Sequence, residues 1–240
     1  MQYFANSDTG RCRQENQDRY LMLPLGERAF LAAVFDGMGG HACGDLAAEA
    51  GVFRFTQVFS AIPKNEDEAA ELLRHAAILA DADIRALAAE DEARLGMGTT
   101  VTALLFIGRR VLSMNIGDSR SYLYRAGELF LLTHDDSYVQ ALVDAGKLDP
   151  MDACFHPRRN VILRSLGALG RGEININRAD LLTGDSYLLC SDGLTGMVAD
   201  SFISRLLGQQ LSPVATVGYL IAAANENGGE DNITAALVRA

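Results

Sequence analysis

Acidic residues beside glycines mark the positions at which this chain could do chemistry. The apolar run "FLAAVF" is followed by Asp36 and Gly37, and the run "YLLCS" is followed by Asp192 and Gly193. Taken singly, each pair is more often a tight turn, because Asp-Gly suits turn conformations. The alternative is that a strand end holds the carboxylate rigidly while the glycine lets another group approach the backbone.

Two more aspartates occupy similar places. Asp231 precedes the apolar run "ITAALV", and Asp118 follows "MNIG". Carboxylates that are brought together repel, so at least one takes up a proton unless a cation lies between them. Oxygen ligands without His or Cys suit hard ions such as Mg²⁺ or Mn²⁺, and water on such an ion is a ready nucleophile. Spacing alone does not show that the four aspartates converge, so the turn and metal interpretations both stay open.

Other catalytic templates are absent from the sequence. The stretch "GMGTT" lacks the lysine and the spacing of a P-loop, and no G-x-S-x-G elbow occurs. The four histidines form no H-x-x-x-H pair and the four cysteines form no C-x-x-C pair, which excludes the common zinc motifs. Cys190 lies inside an apolar run and is expected to be a buried small hydrophobe.

The charge balance narrows the range of partners. The 240 residues include 21 Lys and Arg against 31 Asp and Glu, a formal net charge of −10. An acidic protein repels phosphate backbones and anionic lipids, so we expect no nucleic acid and no membrane as a general partner. No signal peptide is recognisable, and no apolar run reaches the roughly 18 residues of a membrane span. We therefore expect a soluble, cytoplasmic protein.

Short apolar runs predict β-strands. The breaks at Gly108-Arg109 and Ala126-Gly127 are short enough for antiparallel hairpins. The predicted strands are "FLAAVF" (30–35), "VTALLFI" (101–107), "RVLSMNI" (110–116), "RSYLYR" (120–125), "ELFLLT" (128–133), "SYLLCS" (186–191) and "ITAALV" (233–238).

Three helical segments are predicted between the strands. The first runs from about Gly44 to Phe59. The second covers 66–95, with Asn65 as its N-cap, and apolar residues then recur at helical spacing. The last begins after the N-cap Ser212 and runs to about Glu226. Neighbouring strands with helices segregated between them predict an α+β fold with helices covering antiparallel sheets.

Seven motifs in order make the chain similar to a known family. It resembles the bacterial metal-dependent serine/threonine protein phosphatases of type 2C (the PPM family) over nearly its whole length. The motifs are "SDTGRCRQENQD" (7–18), "FDGMGGH" (35–41), "GMGTT" (96–100), "NIGDSRSY" (115–122), "HPRRNVILRSLG" (156–167), "CSDGL" (190–194) and "EDNIT" (230–234).

The resemblance implies a fold and a domain organisation. The family fold is a four-layer sandwich of two antiparallel β-sheets flanked by helix pairs, here expected as one catalytic domain over 1–240 with a flap at about 137–167. Within the flap, "SYVQALVDAG" predicts a short helix with Gly146 just past its end, followed by a loop. Arg158 and Arg159 in that loop are as well explained by solvated surface as by contact with a phosphorylated or acidic partner.

The resemblance also implies two Mn²⁺ or Mg²⁺ ions in a carboxylate cleft. Asp36 would bridge both ions and Gly37 would offer its carbonyl to one of them. Asp192 and Asp231 would hold the other. A third, weaker ion would lie at Asp118. Asp18 would support the cluster, often through water.

The implied reaction is hydrolysis of phosphoserine and phosphothreonine by a water that bridges the two metals. Arg13 matches the arginine that grips the substrate phosphate, a role that suits its planar fork of donors. Asn232 would lie behind the metal ligands. Met38 stands where eukaryotic members have a histidine, so His41 is the nearest candidate for the general acid, with a surface or helix-start histidine as the alternative.

Two other departures from the family pattern concern Gln17, where glutamate is common, and Asp136, where histidine is common.

The expected partners are phosphorylated proteins, among them a cognate serine/threonine kinase and its substrates, and the expected state is a monomer. A catalytically silent binding module is the alternative from another class, but such relatives typically lose metal ligands that are present here. A phosphatase of an anti-sigma-factor antagonist is the other alternative, and those usually carry sensor domains.

Overall fold

Two antiparallel β-sheets form the centre of the fold in the computed structural model, which describes residues 1–39, 43–170 and 172–240. The first sheet has the strand order β1 (Gln2–Asp8), β11 (Ile233–Arg239), β10 (Ser186–Cys190), β7 (Arg120–Arg125) and β8 (Glu128–Leu131). The second has the order β2 (Asp18–Leu25), β3 (Ala29–Met38), β5 (Val101–Ile107), β6 (Arg110–Ile116) and β9 (Ile176–Asp180), and β4 (Gly98–Thr99) pairs with the end of β3.

Helices cover the outer face of each sheet. Two long helices, α1 (Cys43–Val58) and α2 (Glu66–Ala89), pack on the second sheet. Two others, α5 (Asp200–Gly208) and α6 (Pro213–Glu226), pack on the first. The short helices are α3 (Tyr138–Asp144) and α4 (Asp192–Thr195). In the described part of the chain, no helix combines the length and the apolar character needed to cross a membrane.

Apolar side chains fill the three spaces between these layers. Between the sheets, the rings of Phe106 and Tyr187 meet edge to face at 5.2 Å, and Phe30 lies beside Phe106. Burying one such large side chain contributes about 1.5–3 kcal/mol to folding. The order helix, sheet, sheet, helix confirms the predicted four-layer α+β sandwich.

The predicted helix starts and hairpins are confirmed. Asn65 accepts a hydrogen bond from the Glu68 N–H at 2.9 Å, and the Ser212 hydroxyl accepts one from Ala215 N–H at 3.3 Å. These side chains satisfy amide groups that the first helical turn leaves without a partner. Both predicted two-residue turns, 108–109 and 126–127, connect antiparallel strands.

One predicted boundary and one predicted loop are wrong, each because an aspartate starts a separate 3₁₀ turn. Helix α2 ends at Ala89, not at 95, and Asp91 then caps the turn Glu92–Arg94 by accepting from Ala93 N–H at 2.9 Å. In the flap, α3 ends before residue 146 as predicted. The following segment is not entirely a loop, since it contains the 3₁₀ turn Pro150–Phe155.

The strands that the sequence did not predict lie at sheet edges or are very short. β1, β2 and β9 each have one neighbouring strand on one side only. Edge strands keep one face or border in water, so they need no continuous apolar run. Pro24 is tolerated in β2 because an edge strand does not need every backbone N–H for pairing. Helix α5 was also missed, although apolar residues recur along it at helical spacing.

Candidate active site

The pairing of β2 with β3 sets Asp18 opposite Asp36. Asp36 does not end its strand as predicted, because β3 continues through Gly37 to Met38 and pairs there with β4. The turn interpretation of Asp36-Gly37 is therefore wrong. A Cβ on Gly37 would lie 2.1 Å from the carbonyl oxygen of Gly44 in α1, so the close packing of helix on strand requires glycine.

Asp192 and Asp231 come from neighbouring strands of the other sheet. Asp192 follows β10 and is the first residue of α4, and Asp231 lies just before β11. The carboxyl groups of Asp192 and Asp36 are within hydrogen-bonding reach of each other. Both sheets thus contribute carboxylates to one end of the sandwich.

Asp118 follows β6 and is 8% exposed. Its neighbour Ser119 shares a hydrogen bond of 2.7 Å with the Thr100 hydroxyl, which also accepts one from Asp36 N–H at 3.0 Å. Thr99 donates to the Asp36 carbonyl at 3.0 Å. Hydroxyl groups of the "GMGTT" motif and of Ser119 therefore fix the backbone on which two of the carboxylates stand.

The proximity of the carboxylates is visible in the pKa values of Asp18, Asp36, Asp118 and Asp192. Loss of solvent, with the negative charges of Asp18, Asp192, Asp118 and Asp231, raises the pKa of Asp36 well above its usual range. Burial raises the pKa of Asp18 and of Asp118 to about 7 each, and the charge of Asp192 adds to both shifts. Burial and then Asp231 raise the pKa of Asp192. Without a cation, the cluster holds protons that isolated aspartates release near pH 4.

The donors present fit a hard divalent cation. Among the described residues, the buried Oδ1 atoms of Asp18 and Asp118 have no hydrogen-bond partner. Within the same residues, no three His, Cys, Asp or Glu side chains could hold an ion by themselves. Mg²⁺ is commonly bound by one or two carboxylates together with waters and other oxygen ligands, such as a carbonyl.

Arg13 places a guanidinium on the rim of the cluster. Its Nη2 donates to Asp231 Oδ2 at 2.7 Å, and the side chain is 55% exposed. The hydrogen bond to Asp231, and then the charges of Asp231, Asp192 and Asp36, raise the pKa of Arg13, so the group is always a cation.

Asn232 ties the loop that carries Arg13 to the neighbouring Asp231. Its Nδ2 donates to the carbonyls of Thr9 and Glu15, both at 2.9 Å, and its Oδ1 accepts from Gln17 N–H at 2.8 Å. Asn232 is 6% exposed. It is therefore buried beside Asp231 and holds this loop in place, and Gln17 takes part through its backbone.

Sequence reasoning missed three hydroxyl residues of the site. Ser191 is buried and donates to Asp18 Oδ2 at 2.7 Å, while Thr100 and Ser119 form the pair described above. Ser191 directly precedes Asp192, and Ser119 directly follows Asp118. This adjacency to a strand-end aspartate is the sequence pattern that could have identified the two serines. His41, the predicted general acid, lies outside the described residues.

Comparison with known proteins decides the family. The sequence profile described as protein phosphatase 2C matches residues 11–231. The chain belongs to this family. It is 37% identical to the serine/threonine phosphatase stp of Listeria monocytogenes over 235 residues, which cover 97% of this chain and 93% of that one. Family and fold are thus as predicted.

Two further relatives carry useful detail. The chain is 40% identical to the serine/threonine protein phosphatase PstP of Mycobacterium tuberculosis over 240 residues. The match covers 98% of this chain but only 44% of PstP. The solved catalytic domain of a PstP in complex with two manganese ions is 36% identical, with a TM-score of 0.87 over 98% of this chain and 96% of that one.

Proposed function

We propose that this protein hydrolyses phosphoserine and phosphothreonine in other proteins, with two Mn²⁺ or Mg²⁺ ions bound in the carboxylate cluster. The observation that carries the proposal is the convergence of Asp36, Asp192 and Asp231 from both sheets beside the guanidinium of Arg13. The named relatives support the same reaction, and one solved relative holds two manganese ions.

Each residue has a role in this proposal. Asp36, the Gly37 carbonyl, Asp192 and Asp231 would hold the two ions. Asp118 would hold a third, weaker ion, and Asp18 would support the cluster from behind. When bound, the ions supply an activated water and offset the charge that develops on the phosphoryl oxygens.

The chain's own side chains position the substrate. Arg13 can turn from Asp231 to the phosphate, because more than half of its side chain is exposed and a bidentate guanidinium matches phosphate oxygens. Asn232 holds the loop that carries Arg13 and so fixes the direction from which the phosphate is gripped.

A direct test uses para-nitrophenyl phosphate and a phosphothreonine peptide with added Mn²⁺. We expect hydrolysis of both, loss with excess EDTA and recovery with Mn²⁺ or Mg²⁺. Full activity in EDTA would show that the ions are not required. No activity under any metal would favour the alternative of a silent binding module.

The partners follow from the chemistry. Phosphorylated proteins are the substrate class, and we propose that a cognate serine/threonine kinase and its targets are among them. We also propose one catalytic domain over residues 1–240 and a monomeric state, which light scattering during gel filtration would test. The cytoplasmic location stays a prediction.

A further inference from the structure

Asp136, for which the sequence suggested no role, joins both legs of the flap to the turn before Asp118. Its Oδ2 accepts a hydrogen bond from Gly117 N–H at 3.2 Å, and its own N–H donates to the Gly117 carbonyl at 2.8 Å. Its carbonyl accepts from Leu163 N–H at 2.7 Å, near the other end of the flap. Next to it, Ser137 forms a β-bridge with Ile162.

Gly117 has a backbone conformation that needs such support. Its φ is +103°, in the region that favours glycine, and a Cβ there would lie 2.6 Å from the Thr100 side chain. Its carbonyl also accepts from Asn115 Nδ2 at 3.0 Å. Because that carbonyl belongs to the peptide joining Gly117 to Asp118, these bonds set the direction in which Asp118 leaves the strand.

Asp118 is held on its other side as well. Ser119 Oγ and Thr100 Oγ1 share a hydrogen bond of 2.7 Å, and Thr100 is bonded to the backbone of Asp36. The carboxylate of Asp118 therefore stands between two supports. One support belongs to the core beside Asp36, and the other is Asp136 at the base of the flap.

The two oxygens of Asp136 have different surroundings. Oδ2 is engaged with Gly117, and Oδ1 lies 3.8 Å from Nη1 of Arg164, in the wall of a cavity of about 860 Å³. A hydrogen bond to an ionised acceptor is roughly twice as strong as a neutral one. A neutral oxygen at the same place would therefore keep the bond to the Gly117 amide at reduced strength, whereas an oxygen moved away from that amide would lose it.

We propose that Asp136 is a positioning residue, which fixes Gly117, and through it Asp118, to the base of the flap. It acts through the Gly117 backbone, without touching substrate or ion. The expected change in kcat rests on the proposed phosphatase function, whereas the protection of the Gly117 amide from hydrogen exchange does not.

Two substitutions separate position from charge. Asp136→Asn keeps an oxygen at the same distance from Gly117 without the charge, and Asp136→Glu keeps the charge but moves the carboxylate by one methylene. We expect Asp136→Asn to keep the bond to Gly117 at reduced strength, so that its Gly117 hydrogen exchange, measured by NMR, and its kcat lie between those of the wild type and those of Asp136→Glu. In Asp136→Glu, exchange at Gly117 should be about tenfold faster, the effect of losing one hydrogen bond to a charged group.

The kinetic arm uses para-nitrophenyl phosphate at saturating Mn²⁺. Asp136→Glu should lower kcat severalfold and leave KM unchanged, because Arg13 is on another loop. Asp152→Ala is the matched control, since it removes an exposed flap carboxylate, and it should match the wild type in both measurements.

Three outcomes would overturn the proposal. They are wild-type exchange at Gly117 in Asp136→Glu, faster exchange with unaltered kcat, and an equal effect of Asp152→Ala. If the wild type hydrolyses no phosphate ester, the proposed function fails, and the exchange comparison still decides whether Asp136 holds Gly117.

Discussion

Single side chains at this site depend on partners that are far away in the chain. Ser191 supports Asp18 across 173 positions, and Thr100, just before β5, meets Ser119, just before β7. Asp36, Asp118, Asp192 and Asp231 could be singled out from the sequence because each lies beside an apolar run, whereas Asp18 came from the family resemblance. Their hydroxyl partners could not, because nothing local in the sequence distinguishes a serine that meets a distant carboxylate from one that meets water.

Asp192 and Asp231 provide a prediction at this scale. If both hold one ion, Asp192→Ala and Asp231→Ala should each remove most of the turnover and weaken Mn²⁺ binding measured by calorimetry. The double variant should lose far less than the sum, because the second change acts on a site already lost. Additive losses would indicate two independent sites, and Asp152→Ala is the control for the lost charge.

Arg13 provides a second prediction at the scale of single residues. Arg13→Ala should raise KM for para-nitrophenyl phosphate and lower kcat to a smaller extent, because the phosphate is anionic both before and during reaction. Arg13→Lys should recover part of the loss, since it restores the charge but not the planar fork. The melting temperature should hardly change, because an exposed ion pair contributes at most about 1 kcal/mol. An unchanged KM in Arg13→Ala would place phosphate binding elsewhere.

The elements of the fold differ in how far the sequence predicts them. Central strands such as β5 and β10 are mostly apolar and almost entirely buried, and they were predicted. The edge strands β1, β2 and β9 are exposed or half-buried over most of their length and were not predicted. The last two residues of β3, Gly37 and Met38, pair with β4, a two-residue strand far along the chain. The end of β3 therefore could not be predicted from the residues around it. Local pattern therefore predicts the centre of each sheet better than its borders.

The turn between β9 and β10 provides a stability prediction for an element. Asp185 is 1% exposed and accepts hydrogen bonds from the Arg125 guanidinium, Leu182 N–H and the Tyr187 hydroxyl at 2.7–3.1 Å. Burial alone would raise the pKa of Asp185. The hydrogen bonds, of which the one from Arg125 has the largest effect, hold this pKa below its usual value. Asp185→Ala should cost about 3 kcal/mol of unfolding free energy, as for a buried pair that loses one partner.

Urea unfolding monitored by circular dichroism would measure that cost. Because the folded-state pKa of Asp185 is lowered, its contribution is present above the unfolded pKa of about 3.9 and is lost as pH falls through the folded value. The exposed Asp180→Ala is the control and should cost less than about 1 kcal/mol. An Asp185→Ala variant as stable as this control would contradict the assigned network.

At the scale of the whole molecule, the carboxylate cluster couples folding to metal and to pH. The pKa values of Asp18 and Asp118, about 7, are above those of the unfolded chain. Between about pH 4 and 7 the folded, metal-free protein thus binds more protons than the unfolded chain. Its stability from these groups is full below about pH 4 and is lost as pH rises through 7.

Saturating Mn²⁺ should reverse that loss. Binding to the folded state at 100 times Kd adds about 2.7 kcal/mol, and each kcal/mol shifts the melting temperature of a chain of this size by about 2–4 °C. We expect a rise of about 5–10 °C at pH 7.5 and a smaller one at pH 5.5, where protons compete. The same rise in Asp36→Asn, or no rise in the wild type, would contradict a metal site in the cluster.

The strand order of the first sheet has a consequence for biosynthesis. Strand β11 lies between β1 and β10, so its seven residues complete the centre of a sheet whose other members were all made earlier. At about 5–20 residues per second, a ribosome adds the 224 residues between β1 and β11 over roughly 11–45 seconds. Until β11 is made, β1 and the later β10 have no common neighbour. A nascent chain should therefore show no phosphatase activity until residues 233–239 emerge, and hydrolysis by ribosome-stalled chains that still lack β11 would disprove this.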